Sequence, residues 1–193
     1  MFIDFLTLVM INLVAGSVLL AHYLWKGMDE KNQKPYAAAF FITGLVGLVT
    51  GMQLSFTWPL PGSFNVGYGD AAALFGAVYL ATGIALSQGW DLIPVSIYSF
   101  FAGIDAIIVG FSLYANKLGQ EPFVAAVGFI LAGLGGVGAF PFLQWFKDNK
   151  AVRWIAIIVL LLTAAIWAFT FYSALWAHMT AFAKYLPATM MAK

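Results

Sequence analysis

Long apolar blocks alternate with short polar breaks along the whole chain. A bilayer core needs about 20 apolar residues per helix. Six blocks have that length or come close to it: Ile3–Trp25, Pro35–Thr57, Ala71–Ser87, Ile93–Ala115, Pro122–Trp145 and Val152–Trp176. The pattern predicts an all-α integral membrane protein, one domain over 1–193 with six transmembrane helices and a short tail, 177–193. Trp25, Trp58, Trp90, Trp145, Trp154 and Trp176 fall at or beside the block ends, where an aromatic belt sits, while Trp167 lies deep in the last block. Pro59 and Pro61 end the second block. Pro94 and Pro122 stand in first turns, where a missing N–H costs nothing. The longest break, WPLPGSFNVGYGD from Trp58 to Asp70, reads as a turn-rich cap over one end of the bundle.

Composition narrows the class. Of 193 residues, 63% are hydrophobic and 9% charged, against about 25% charged in a soluble domain. Little is left over for a soluble part. Net charge is +1 with no basic patch, which argues against nucleic acid. The absence of cysteine excludes disulfides, thiol catalysis and thiolate metal sites. The first block spans a full bilayer and lacks a basic leader, so it is expected to be retained. No nucleophile motif, phosphate loop or paired carboxylate appears, so an enzyme is not expected. His22 and His178 are expected at opposite membrane faces, about 30 Å apart and too far to share a haem iron. Neither has carboxylates beside it in sequence, so no metal or cofactor is expected.

The breaks after the first, third and fifth blocks hold Lys26, Lys31, Lys34, Lys147, Lys150 and Arg153. The other side holds Lys117, Lys184 and Lys193. The positive-inside rule therefore places both termini outside the cytoplasm.

One ionisable residue, Asp105, lies near the middle of a span. The other acids read as lying in termini, loops or span ends. A carboxylate at mid-bilayer costs roughly 2.5–3.5 kcal/mol and normally faces a bundle interior or a wet cavity. Two readings stand: a polar or proton-linked contact in a pathway, or a protonated structural group bonded to a neighbouring helix. Gly44 with Gly51, and Gly103 with Gly110, are each seven residues apart, so each pair lies on one helix face suited to close packing. The second and fourth blocks resemble one another, as do the first, third and fifth, which suggests three similar hairpins, each an odd helix followed by an even one. Gly128, Gly133, Gly135, Gly136 and Gly138 crowd the fifth block, for packing or to line a pore. Phe75 and Tyr79, four apart, share a helix face with Thr82 three residues on. They serve either as packing or as a constriction with a hydrogen-bonding tip.

Leu74-Phe75-Gly76, Tyr79-Leu80, Gly89, Asp91, Pro94, Ser96, Tyr98-Ser99 and Phe101 together resemble the urea and amide channel family. Gly16-Ser17-Val18-Leu19, the run Phe40 to Leu45, and Trp154 with Ala156-Ile157-Ile158 and Leu162-Thr163-Ala164 extend the similarity over most of the chain. The start MFID and the loop FTWPLPGS also resemble a prokaryotic membrane protein family of unknown function. The resemblance implies a six-helix protomer with outside termini, a pore through each protomer, and assembly into a homo-oligomeric ring, a hexamer in known members. It places Phe75 and Tyr79 where that pore narrows, and His22 where the family has a small polar group. It also places Val124, Gly128, Leu131 and Gly135 where the family's urea channel has narrowing residues on helix 5, tryptophans among them, and Val159 where the family has a pore acid.

The expected function is a channel or facilitator in the cell membrane for a small neutral or weakly acidic solute such as urea, a short amide or a small carboxylic acid. Its expected solute contacts are Asp105, Phe75, Tyr79, Thr82, His22, Gly128, Leu131 and Gly135. The alternative is a non-catalytic membrane subunit or assembly partner of a larger enzyme complex.

Overall fold

The computed structural model describes residues 5–183. The expected start at Ile3, the MFID motif, and Lys184 and Lys193 of the tail lie outside the described residues. Six α-helices follow in order: α1 Phe5–Trp25, α2 Lys34–Thr57, α3 Phe64–Gln88, α4 Ile93–Ala115, α5 Pro122–Pro141 and α6 Lys150–Ala181. All six are long and apolar enough to cross a membrane. The chain is an all-helical, multi-pass membrane protein. Below, the terminal end is the end of the bundle where α1 begins and α6 finishes. The loop end is opposite and carries the α1–α2 and α5–α6 connections.

Local sequence explains most helix ends. Pro35, Pro94 and Pro122 stand in the first turns of α2, α4 and α5. Asn149 caps α6 by accepting hydrogen bonds from the backbone N–H groups of Ala151 (3.0 Å) and Val152 (3.2 Å). Gly89 ends α3 at φ 72°, a left-handed conformation that costs glycine little. Pro141 disturbs the α-helical ladder, and α5 runs on as a π-helical turn over Phe142–Phe146.

Two boundaries differ from the sequence reading. The expected cap before Ala71 is largely helix, because α3 begins at Phe64. Asn65, fully buried, holds the short remaining loop: its Oδ1 accepts from the Leu60 N–H (2.7 Å), and its Nδ2 donates to the Leu60 and Gly62 carbonyls. Asp70 therefore lies inside α3 rather than in a loop. At the other end of the chain α6 continues past Trp176 to Ala181.

Close packing joins α2 to α3, α4 to α5 and α6 to α1. Within each odd–even hairpin, α1 with α2, α3 with α4 and α5 with α6, the helices also touch, less extensively. Glycine decides which pairs approach. A Cβ on Gly51 would lie 2.3 Å from Ala73 N, and one on Gly103 2.4 Å from Val137 N. Small residues let backbones meet where lipid supplies no hydrophobic drive between helices. Two buried clusters fill the bundle. One, at the terminal end, includes Leu54, Tyr68, Phe129, Trp167 and Phe171. The other, at the loop end, includes Tyr23, Phe40, Tyr79, Phe142 and Leu160.

An ion pair ties the loop end together: Arg153 Nη1 donates to Asp29 Oδ2 at 2.6 Å. That hydrogen bond, with the charges of Arg153 and Lys150, holds the Asp29 carboxyl below the usual carboxylate range. A carboxyl depressed in the folded state stabilises the fold above its unfolded pKa, and this contribution is lost as pH falls through the folded value. Asp29→Asn is expected to lower the melting temperature slightly at neutral pH, since an exposed pair contributes little. The gap should close as the pH drops through the carboxylate range. Melting curves by circular dichroism across that range check it, and a gap independent of pH would refute the assignment.

Candidate functional site

Three cavities succeed one another through the interior of the bundle, and all three have Tyr79 in their walls. The first, ≈ 40 Å³, lies in the terminal half between α1, α2, α3 and α5, with Asn12, Gly47, Tyr68 and Phe75 in its wall. The second, ≈ 60 Å³, lies at mid-depth, with Ser17, Phe75, Ser99, Gly135 and Thr163. The third, ≈ 360 Å³, occupies the loop half, with Tyr23, Phe40, Thr82, Ser96 and Ser99. Phe75 borders the first two, and Thr82 the third.

The walls are apolar with a few hydrogen-bonding groups. Thr82 Oγ donates to the Val78 carbonyl and Thr163 Oγ to the Val159 carbonyl, each at 2.8 Å, and Ser99 Oγ donates to the Gly136 carbonyl at 3.3 Å. A hydroxyl that has donated to its own helix or a neighbour keeps only acceptor capacity. Asn12 Nδ2 donates to the Thr43 carbonyl at 2.9 Å, which leaves its side-chain oxygen as an acceptor. Tyr79 supplies the opposite chemistry. It is 9% exposed, packs on Phe40 at 5.5 Å between ring centroids, and its hydroxyl makes no hydrogen bond among the described residues. The junction of the three cavities therefore combines one free hydroxyl donor with several acceptors.

An aromatic stack closes the terminal end. Ring centroids are 5.1 Å apart for Tyr68–Phe129, 5.3 Å for Phe129–Trp167 and 5.4 Å for Trp167–Phe171. Trp167 is 1% exposed and its indole N–H has no hydrogen-bond partner among the described residues. Its six-membered ring lies against Gly128: a Cβ there would be 2.6 Å from Trp167 Cζ2.

The other sequence candidates lie elsewhere. Gly128 lines none of the three cavities, because the Trp167 side chain from α6 occupies the space it leaves. Leu131, half-buried, lines none of the three, whereas Gly135 lines two. His22 is exposed at the loop end; its Nδ1 and the Tyr36 hydroxyl are hydrogen-bonded at 3.0 Å, and Trp25 packs edge-on at 5.9 Å. His178 is bonded to Thr7 Oγ1 at 3.3 Å, at the terminal end. Among the described residues, no group of three His, Cys, Asp or Glu side chains is placed to hold a metal.

Asp105, read as a contact in a pathway, lines none of the three cavities. Ala102, Gly103, Ala106 and Gly110 form the buried face of α4, and Asp105 is turned to its flank, toward α3. There a Cβ on Gly67 of α3 would lie 3.1 Å from Val109, one turn along α4 from Asp105. Ser55 Oγ donates to Asp70 Oδ1 at 2.6 Å, while Asp105 Oδ2 is buried without a hydrogen-bond partner among the described residues. Asn12 was not singled out from the sequence, and Ser17, Ser99 and Thr163 entered only as marks of the family resemblance, not as solute contacts. Polar residues within otherwise apolar spans were the available sign.

The fold has solved counterparts. The Helicobacter pylori urea channel in its closed state, solved by cryo-electron microscopy, superposes with a TM-score of 0.67 at 22% identity, over 86% of this chain and 97% of that one. A crystal structure of the H. pylori urea channel gives 0.63 at 24% identity, over 84% and 97%. No curated protein matches the sequence. A family profile described as "Protein of unknown function (DUF981)" matches residues 1–181, and the chain belongs to that family.

Proposed function

We propose that the protein is a membrane facilitator for a small, neutral or weakly acidic solute with a carbonyl group, urea and short amides first among them. It is not an enzyme in this reading. The carrying observation is the succession of three cavities that meet at Tyr79. Apolar walls offer nothing to replace an ion's hydration shell, so hydrated ions are excluded by their desolvation cost. A urea-like solute needs few bonds: its carbonyl accepts from Tyr79, and its N–H groups donate to Asn12, Thr82, Ser99 or Thr163. Phe75 and the terminal aromatic stack set the width of the path. The likeness to the urea channel's fold supports this class of cargo. By the same reading the protomers assemble as a ring, six by the family resemblance, with both termini outside the cytoplasm.

Stopped-flow light scattering on proteoliposomes tests it, with urea, acetamide and acetate as solutes. At least one should enter faster than into empty liposomes. Asp105→Asn should conduct like wild type, because the carboxyl lies off the cavities. No flux of any of the three through folded protein would reject the proposal. Altered selectivity in Asp105→Asn would return that residue to the path.

A further inference from the structure

We infer that the loop-half cavity is a binding site for one acyl chain of a membrane phospholipid, which enters sideways between α5 and α6.

The opening follows from the glycines of α5. Near the terminal end α6 lies against α5: a Cβ on Gly128 would be 2.6 Å from Trp167. At Gly135 the nearest atom is Leu160 Cδ2 at 3.4 Å, and at Gly138 nothing lies within 4 Å. Opposite Gly135 and Gly138 no side chain of α6 fills the space as Trp167 does at Gly128, which leaves a wedge between the two helices. The wedge leads into the cavity of ≈ 360 Å³, whose wall includes Gly135 and Gly138 of α5 and Ile155 and Val159 of α6. Leu134 and Ile155 also border it and are 48% and 61% exposed, so its mouth faces outward from the bundle. Ile155 lies about 8 Å along α6 from Lys150 at 1.5 Å per residue, within the membrane-spanning segment. From Ile155, beside Trp154, the mouth runs one turn deeper to Val159, into the apolar span.

The occupant is constrained by size and polarity. A helix, about 10–12 Å across with its side chains, does not enter a cavity of this volume. Water is poorly held, because the wall is mostly aliphatic and a buried water requires about 2–4 polar partners. An empty space would leave the wall atoms without dispersion contacts on one side. A flexible hydrocarbon chain fits between these limits. The headgroup would stay outside, level with exposed Trp145 and Trp154, where an aromatic belt marks the interface. The π-helical turn Phe142–Phe146 forms the loop-end margin, with Phe142 and Leu143 in the cavity wall. Acyl-chain binding does not depend on transport. Its consequence, closure of the loop half of the path while the chain is in place, rests on the proposed function.

The test uses the full chain in vesicles of phosphatidylethanolamine and phosphatidylglycerol, doped with a phosphatidylcholine that carries a diazirine at the end of one acyl chain. After irradiation, adducts are mapped by mass spectrometry. Ser96 and Ser99 are 3% and 5% exposed and face the cavity. Adducts on their peptide are expected at these two positions, beside unavoidable adducts at outward Phe101 and Ile108. Gly138→Leu fills the mouth at a position with free space and should remove the interior adducts while leaving the outward ones. Val159→Phe, from the facing helix, should do the same. Interior positions free of adduct in wild type, or interior adducts that survive both substitutions in folded protein, would overturn the inference. Neither readout needs solute flux, so absence of transport leaves the result interpretable.

Discussion

Gly44→Ala is expected to lower the thermal stability of the protein severely, and Gly44→Leu to leave almost none of it folded. An ideal Cβ on Gly44 would lie 2.1 Å from the backbone N of Leu80 and 2.5 Å from its Cα. These are backbone atoms in the middle of α3, so no rotamer change relieves the overlap. The two helices must move apart, and that would also undo the approach at Gly51, Gly76 and Gly83 along the same contact. Overpacking typically costs about 1–3 kcal/mol, occasionally more, and a backbone–backbone overlap belongs at the top of that range. Gly138→Ala is the control: its Cβ would meet nothing within 4 Å, and its melting temperature should stay close to wild type. Thermal unfolding in mild detergent, followed by circular dichroism, separates the two. Equal melting temperatures for Gly44→Ala and wild type would mean that the α2–α3 contact is looser than described.

Tyr79→Phe is expected to slow solute flux by roughly 2- to 10-fold at unchanged stability, the equivalent of one neutral hydrogen bond of about 0.5–1.5 kcal/mol. The ring stays, so the packing on Phe40 and the shape of the junction are retained. Only the hydroxyl is lost, and it makes no hydrogen bond to the described protein. A purely structural tyrosine would show a changed melting temperature with flux intact. A solute-binding one shows the reverse, with a larger effect on urea and acetamide than on water permeability measured in the same liposomes. Equal flux for all solutes in wild type and variant would remove Tyr79 from the path.

The number of helices, their type and most of their ends were legible in the sequence. Block length, first-turn prolines and the tryptophans at block ends carry that information, because a bilayer imposes one thickness and one polarity on every span. The loop before α3 misled, since its Pro, Gly and Asn residues read as an irregular cap. Only the structure shows Asn65 bonding back to Leu60 and Gly62 so that helix begins at Phe64.

Which face of each helix turns inward was not legible. In a soluble protein the 3.6-residue period separates a wet face from a dry one. In lipid both faces are apolar, so the pattern carries little record of which neighbour a residue meets. The spacing of Gly44 and Gly51 marks one face of α2 without naming α3 as its partner. Asp105 is the clearest case. Its depth in the span follows from counting residues, but its direction depends on how α4 packs against α5 through Gly103 and Gly110, and that packing leaves the carboxyl off the three cavities. Gly128 shows the same dependence: the space a glycine leaves is a pore wall or a packing site according to what stands opposite. Here Trp167, which lies 39 residues further along the chain, stands there. The sequence determined the membrane-spanning class of this protein. Tertiary packing alone decided where its cavities run, because that depends on contacts between helices that are not adjacent in the chain.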